Sequence, residues 1–395
     1  MDVRDLKFGK RLRGICIDIE RSGSKISPKD LASKGKSPNL HVYFRFMVHT
    51  VIQSLAIKIF RCCLLVALPL FTKAQAPLTT IAFGSCDHQD YAPKLWDRIL
   101  EQHPQLWIWG GDNVYGDTYQ MDTLRAKYAR QLAQPGYRKL TETAAITGTY
   151  DDHDYGLNDG GKEYTKRAES RDVLFDFLGL PKNDPARRRT GAYHSRVFGP
   201  VGRQVKVINL DTRYFRDSLR QELYRDTATG KIERRNLPAP GLDILGDEQW
   251  AWLENELRGS TAAVHIINSS IQVIAAGHRF EKWANFPDAQ DRLYRLIAAS
   301  GAARVFIISG DRHIAECSRV QKPFMKEPLY DITSSGLTHT WPAVRTEENA
   351  DRVGDLVVKR NFGLIRIDWS TAGPKVFVEI RGHDATPYAT WRLFE

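Results

Sequence analysis

Four apolar stretches of this 395-residue chain each stop at residue types that ligate metals. Thr79 to Ser85 (TTIAFGS) runs into Cys86, Asp87 and His88. Gln105 to Gly110 (QLWIWG) runs into Gly111, Asp112 and, three on, Tyr115. Ala144 to Tyr150 (AAITGTY) runs into Asp151-Asp152-His153-Asp154, and Arg304 to Ser309 (RVFIIS) into Gly310-Asp311-Arg312-His313. Short runs of β-branched and aromatic residues with no polar face suit strands buried on both sides, as in α/β sheets. Ligands of such sheets bind beyond the carboxyl ends of the strands. The pattern therefore predicts an α/β fold with one polar site built from several strand ends.

The rest of the body fits that class. Helices are expected at Lys94 to Gln102, Asp122 to Gln134, Thr165 to Leu178, Asp247 to Leu257 and Asp288 to Ala299. Further strands are expected at Ala192 to Phe198, Val205 to Leu210, Val264 to Val273, Leu329 to Thr333, Leu364 to Trp369 and Lys375 to Arg381. Residues 225–242, polar and bearing Pro and Gly, read as an excursion loop. With no internal repeat or low-complexity linker, residues 77–395 read as one domain.

The formal charge of +10 first suggests a nucleic-acid partner. Its distribution removes that reading: residues 1–76 hold 14 Lys and Arg against 5 Asp and Glu, leaving 43 against 42 in residues 77–395. The basic leader resembles a targeting segment. Cys62 to Phe71 is apolar, Lys58 and Arg61 precede it, and Ala74-Gln75-Ala76 follows with small residues at its outer positions. Residues 47–76 then form a signal peptide starting at Met47, and residues 1–46 a polar extension or an upstream misreading of the start. The alternative is a signal anchor behind a genuine extension. Export to a periplasmic or extracellular space, with no membrane anchor after cleavage, is the expectation.

Each strand-end residue also has a plain structural account. A lone Asp there is usually a turn residue, a buried Cys a small hydrophobe, and a Tyr or His a packing group. Coincidence at four strand ends argues for ligation. Asp carboxylates suit Ca²⁺, Mg²⁺ or Mn²⁺, whereas a thiolate and a phenolate suit a more polarising ion such as Fe³⁺. Arg213 and Arg312 are candidates for holding phosphate oxygens by forked hydrogen bonds. Cys86 and Cys317 are the two cysteines of the body, so a disulfide between them competes with a ligand role for Cys86.

The runs FGSC, GGDNVYGD, TYDDHDYGLND, NLDTRYF and ISGDRH, in that order over residues 79–315, resemble the alkaline phosphatase D (PhoD-like) family of metallophosphoesterases. The resemblance implies a four-layer α/β/β/α sandwich and a site holding Fe³⁺ and Ca²⁺. It makes Cys86 and Tyr115 iron ligands and Asp112 a bridging ligand. Asp152 stands where the general phosphoesterase Asn-His-Asp motif has Asn, with His153 serving the leaving group or the transition state. Asn158 matches a metal-binding asparagine, and Asp311 and His313 take the place of a Gly-His-x-His pair. The chain departs from the family in leaving no room for an N-terminal β-domain and in having Ile-Ala-Glu after GDRH. His339, in the late segment SSGLTHTW, is either a metal or substrate contact or a structural residue. The expected activity is hydrolysis of small phosphate esters by hydroxide or oxide activated on the metals. The competing readings are a phosphodiesterase acting on lipid head groups or wall polymers, and a non-catalytic exported protein binding metal or carbohydrate.

Overall fold

The computed structural model of the protein describes residues 76–394 except 228 and 372; the leader readings for residues 1–46 and 47–76 lie outside that range apart from Ala76. In chain order the strands are β1 (Thr80–Gly84), β2 (Leu106–Gly110), β3 (Ala145–Thr149), β4 (His194–Phe198), β5 (Val205–Asn209), β6 (Gln221–Arg225), β7 (Ile232–Asn236), β8 (Val264–Asn268), β9 (Val305–Ser309), β10 (Ala315–Val320), β11 (Leu329–Ser334), β12 (Phe362–Asp368), β13 (Lys375–Arg381) and β14 (Ala389–Arg392). The α-helices are α1 (Trp96–Leu100), α2 (Met121–Ala133), α3 (Pro135–Thr143), α4 (Asp152–Tyr155), α5 (Arg167–Phe177), α6 (Gly246–Arg258) and α7 (Pro287–Ser300).

Two six-stranded sheets, ordered β14-β13-β12-β1-β2-β3 and β10-β11-β9-β8-β5-β4, carry the body. Successive side chains of a strand point to opposite faces, and the core divides accordingly. Ala82, Trp107, Trp109 and Leu364 of the first sheet pack with Trp96 and Ile99 of α1, Leu124 and Tyr128 of α2, Tyr137 of α3 and Leu174 of α5. Their strand neighbours Ile81, Phe83, Ile108 and Ile365 pack instead with Val207, Ile266, Phe306 and Ile332 of the second sheet. The other face of that sheet, with Ile208, Ile267 and Ile307, packs with Trp250, Leu253 and Leu257 of α6 and Leu293 and Tyr294 of α7. The order is helix, sheet, sheet, helix, the four-layer arrangement expected.

Local chemistry explains the covering helices. In α6 the apolar residues fall at i, i+3 and i+7, on one face, and Asp247 and Glu248 occupy the first turn, where the helix dipole favours acids. Pro287 opens α7 at a position needing no N–H, and Gly301 ends it in left-handed backbone.

The structure corrects the expected elements, and four of the differences have a clear local cause. Residues 225–242 are no plain loop: β6 and β7 pair antiparallel, with Leu223 and Ile232 exposed. Their ladder is made by the backbone and leaves no buried face to impose an apolar alternation. The strand expected to reach Val273 ends at Asn268, where Ser269 Oγ donates to the Ile271 carbonyl and the Val273 and Ile274 amides donate to buried Asp331. Strand β10 has no sequence signal, because AECSRV mixes charge with apolar residues. Helix α3 opens on Pro135-Gly136, a pair that reads as a break in the sequence and here starts a helix.

Candidate metal centre

Strands β1, β2 and β3 are parallel, so Cys86, Asp112 and Asp151 leave one edge of the first sheet. Strand β9, parallel to β8 and β11, delivers Asp311-Arg312-His313 to the facing edge of the second. Glycines let the edges meet. A Cβ on Gly310 would lie 2.5 Å from Ser85 Oγ, and one on Gly111, already at φ +96°, 2.5 Å from Asp151 Cβ. The residues after the strands are bent as well: Cys86 (φ 60°), Asp112 (50°), Asp311 (70°) and His313 (55°) all adopt left-handed backbone. That conformation costs a non-glycine residue about 1 kcal/mol or more. Its concentration at polar strand ends is the kind of strain found at functional sites.

These bends bring donors together. Cys86, Asp112 and His313 each offer an atom within 4.8 Å of the others, as do Asp112, Asp152 and His153, and also Asp151, Asp152 and Asp311. Cys86 Sγ lies 3.4 Å from Asp112 Oδ2, and the Tyr115 hydroxyl 3.3 Å from His339 Nε2. Tyr115, Asp152, His153, Asn158, Asp311, Arg312, His313 and His339 line one cleft of about 390 Å³.

Two buried carboxylates lace this arrangement. Asp154 accepts from the backbone amides of Asp112 (3.2 Å), Asn113 (3.0 Å) and Asp151 (2.7 Å) and from the Tyr128 hydroxyl (2.8 Å), tying the ends of β2 and β3 together. Asp151 accepts from Ser270 Oγ (2.6 Å) and from Arg213 Nε (2.7 Å), tying the first sheet to the second. Arg213 is fully buried, and its guanidinium is paired with Asp151 and with Glu281, which also pairs Arg216. The phosphate-binding role read for Arg213 therefore gives way to an internal ion-pair network. Arg312 stays beside the cleft: two hydrogen bonds of 2.8 Å hold one nitrogen to Glu347, and its Nε has no hydrogen-bond partner. Cys86 and Cys317 are both free thiols, which removes the disulfide alternative.

The charges are unbalanced in a way a cation would relieve. Burial, with Asp112 and Asp311 nearby, pushes the Cys86 thiol well up, and burial with Cys86 and Asp112 does the same to Tyr115. Burial, then Asp151 and Asp152, raises Asp311, and burial raises Asp112 against the pull of His153. Burial disfavours the His153 imidazolium, but Asp152, Asp112 and Asp117 outweigh it and carry the pKa to about 11. Burial likewise opposes ionisation of Asp152, yet His153 and Arg213 hold it down to about 2. His313 is pushed by burial, then by His339, to about 3, and its Nδ1 is buried without a partner. A neutral imidazole with a free ring nitrogen, a thiol, a phenol and several carboxyls facing one space form a donor set that fits metal ions.

The sequence brought forward Cys86, Asp112, Tyr115, Asp152, His153, Asn158, Asp311, Arg312 and His313, and the structure gathers them at one site, with His339 beside Tyr115. It missed Asp117, whose carboxylate lies 2.8 Å from His153 Nδ1, and Phe280, Glu281 and Trp341, which line the cleft. Asp117 and Trp341 stood inside the runs GGDNVYGD and SSGLTHTW. Phe280 and Glu281 sit in a loop with no spacing signal.

Comparison with known proteins agrees with this architecture. Alkaline phosphatase D of Bacillus subtilis (strain 168) is 23% identical over 393 residues, covering 87% of this chain; the chain spans 64% of that relative's length. A solved structure described as "Structure of PhoD" superposes with a TM-score of 0.57 at 17% identity, over 79% of this chain and 73% of that one, and so shares the fold. Residues 81–361, most of the body and all of the cleft, match the PhoD-like phosphatases, and the chain belongs to that family.

Proposed function

We propose that the protein is a metal-dependent phosphoesterase acting on small phosphate esters. The observation that carries this reading is the convergence of Cys86, Asp112 and His313 with Asp152, His153 and Asp311 at facing strand ends. Cys86, Tyr115 and Asp112 would hold Fe³⁺, with His313 beside them. Asp152, Asn158 and Asp311 would hold Ca²⁺, with Asp112 shared between the ions. When bound, such ions polarise a phosphoryl group and make water beside them more acidic.

The chain's own groups supply the rest. Arg312, positioned by Glu347 and left with an unpartnered Nε, offers positive charge to phosphate oxygens. His153 is held at Nδ1 by Asp117 and lines the cleft. It can steady negative charge on the departing oxygen and donate a proton to it. Arg213 serves the site indirectly, by fixing Asp151 behind it. The leader sequence supports export, and an exported enzyme would meet its substrates outside the cytoplasm.

The test pairs elemental analysis of protein purified without chelators with turnover of phosphate esters, for the natural chain and Asp112→Asn. Iron and calcium with phosphatase turnover in the natural chain, both lost in the variant, is the expected outcome. Full activity of metal-depleted Asp112→Asn sinks the reading. A monoester and a diester chromogenic substrate, run side by side, separate phosphatase from phosphodiesterase.

A further inference from the structure

The cleft has an aromatic wall that metal binding does not require. The Trp341 ring lies against the His313 imidazole, with centroids 4.9 Å apart and planes 8° apart, yet 40% of the residue remains exposed. Its backbone N–H donates to the His313 carbonyl at 3.1 Å, which fixes the residue from a second direction. Phe280 stands 5.4 Å from Trp341 and carries the Arg312 guanidinium 4.3 Å from its ring centroid. Both rings line the same cleft as Asp152, His153 and His313.

A large aromatic left partly exposed on a fixed backbone, beside charged groups, is a surface prepared for contact. The cleft's volume of about 390 Å³ falls in the range that holds a small organic molecule. A phosphoryl group seated among the donors would therefore leave space toward Phe280 and Trp341. A flat ring matches that space better than a flexible chain, because stacking on Trp341 would orient it without ordering many bonds.

We infer that Phe280 and Trp341 form a subsite for a planar aromatic ring in the organic part of the substrate, an inference that rests on the phosphoesterase reading. The preferred substrates are then phosphate esters of aryl-bearing or heteroaromatic-bearing alcohols, and the site distinguishes them by ring stacking rather than by leaving-group acidity.

The experiment compares 2-phenylethyl phosphate with 2-cyclohexylethyl phosphate, which share a primary alcohol leaving group and differ in planarity. Metal content is measured on every preparation. The natural chain should favour the phenyl ester in kcat/KM by about fivefold, through KM, the size expected of one aromatic pair. Trp341→Leu should bring that ratio to about one with its metals retained, and Trp341→Phe should restore most of it. Should Trp341→Leu fail to fold, Phe280→Leu carries the same expectation. The inference is overturned by equal rates for the two esters in the natural chain, by a preference that survives both leucine variants, or by a parallel loss on both esters, which would mean that Trp341 only supports His313. No turnover of either ester by the metal-loaded natural chain overturns the phosphoesterase reading and this inference with it.

Discussion

At the scale of single residues, Asp117 shows how a side chain outside the donor set can govern one inside the cleft. Its carboxylate lies 2.8 Å from His153 Nδ1, which fixes the ring and leaves Nε2 for chemistry. Asp117→Ala should lower kcat by about tenfold to a hundredfold with metal content unchanged, as steady-state kinetics and elemental analysis on one preparation will show. Away from the cleft, burial raises the Asp331 carboxyl to about 6, although Ser309 and the amides of Ile274 and Val273 pull the other way. A carboxyl whose folded pKa is raised contributes stability below its unfolded value, near 4, and loses it as pH climbs through 6. Asp331→Asn should therefore gain on the natural chain between pH 4 and pH 7, by up to ~3 kcal/mol, in denaturant titrations at each pH. Equal pH dependence in both proteins would refute the assignment. The donors were legible in the sequence because each follows an apolar run directly. Glu281 was not, since its partners Arg213 and Arg216 lie more than 60 residues away and no periodicity links them.

Among elements, the two sheets are joined at the site by charge as well as by packing. Arg213 bridges Asp151, at the end of β3, to Glu281, beside the cleft, and Arg216 pairs with Glu281 as well. Removing one member leaves a buried charge unpaired, so Arg213→Met should cost about 3 to 5 kcal/mol of stability and loosen the site. Thermal unfolding checks the first effect and metal titration the second. The β6–β7 hairpin behaves differently: its residues are mostly exposed and its ladder needs no core. That difference explains what could be read of the fold. Strands β1, β2, β5, β8 and β9 are fully or almost fully buried and announce themselves as apolar runs. Strands β6, β7 and β10 are held by backbone hydrogen bonds in polar or mixed sequence, and nothing in their side chains reports it.

For the whole molecule, the crowded donors would couple metal binding to folding. Cys86, Asp112 and Asp311 are all pushed toward their protonated forms, and a bound cation would reverse each shift. Metal at a hundred times its dissociation constant adds about 2.7 kcal/mol to the folded state. Chelation of the metal-loaded protein should therefore lower the Tm by roughly 5 °C or more, with full recovery on restoring the metals found by elemental analysis. An unchanged Tm after verified metal loss would contradict this coupling.

The left-handed backbone at Cys86, Asp112, Asp311 and His313 has a consequence for anyone selecting this protein for robustness. Glycine adopts that conformation without strain. Asp311→Gly would relieve both the bend and the crowding of carboxyls, so without metal it should be about 1 kcal/mol more stable than the natural chain, though it can no longer assemble the centre. Selection for heat tolerance alone should then drift toward inert variants, and the positions where glycine accumulates would outline the active site from the outside.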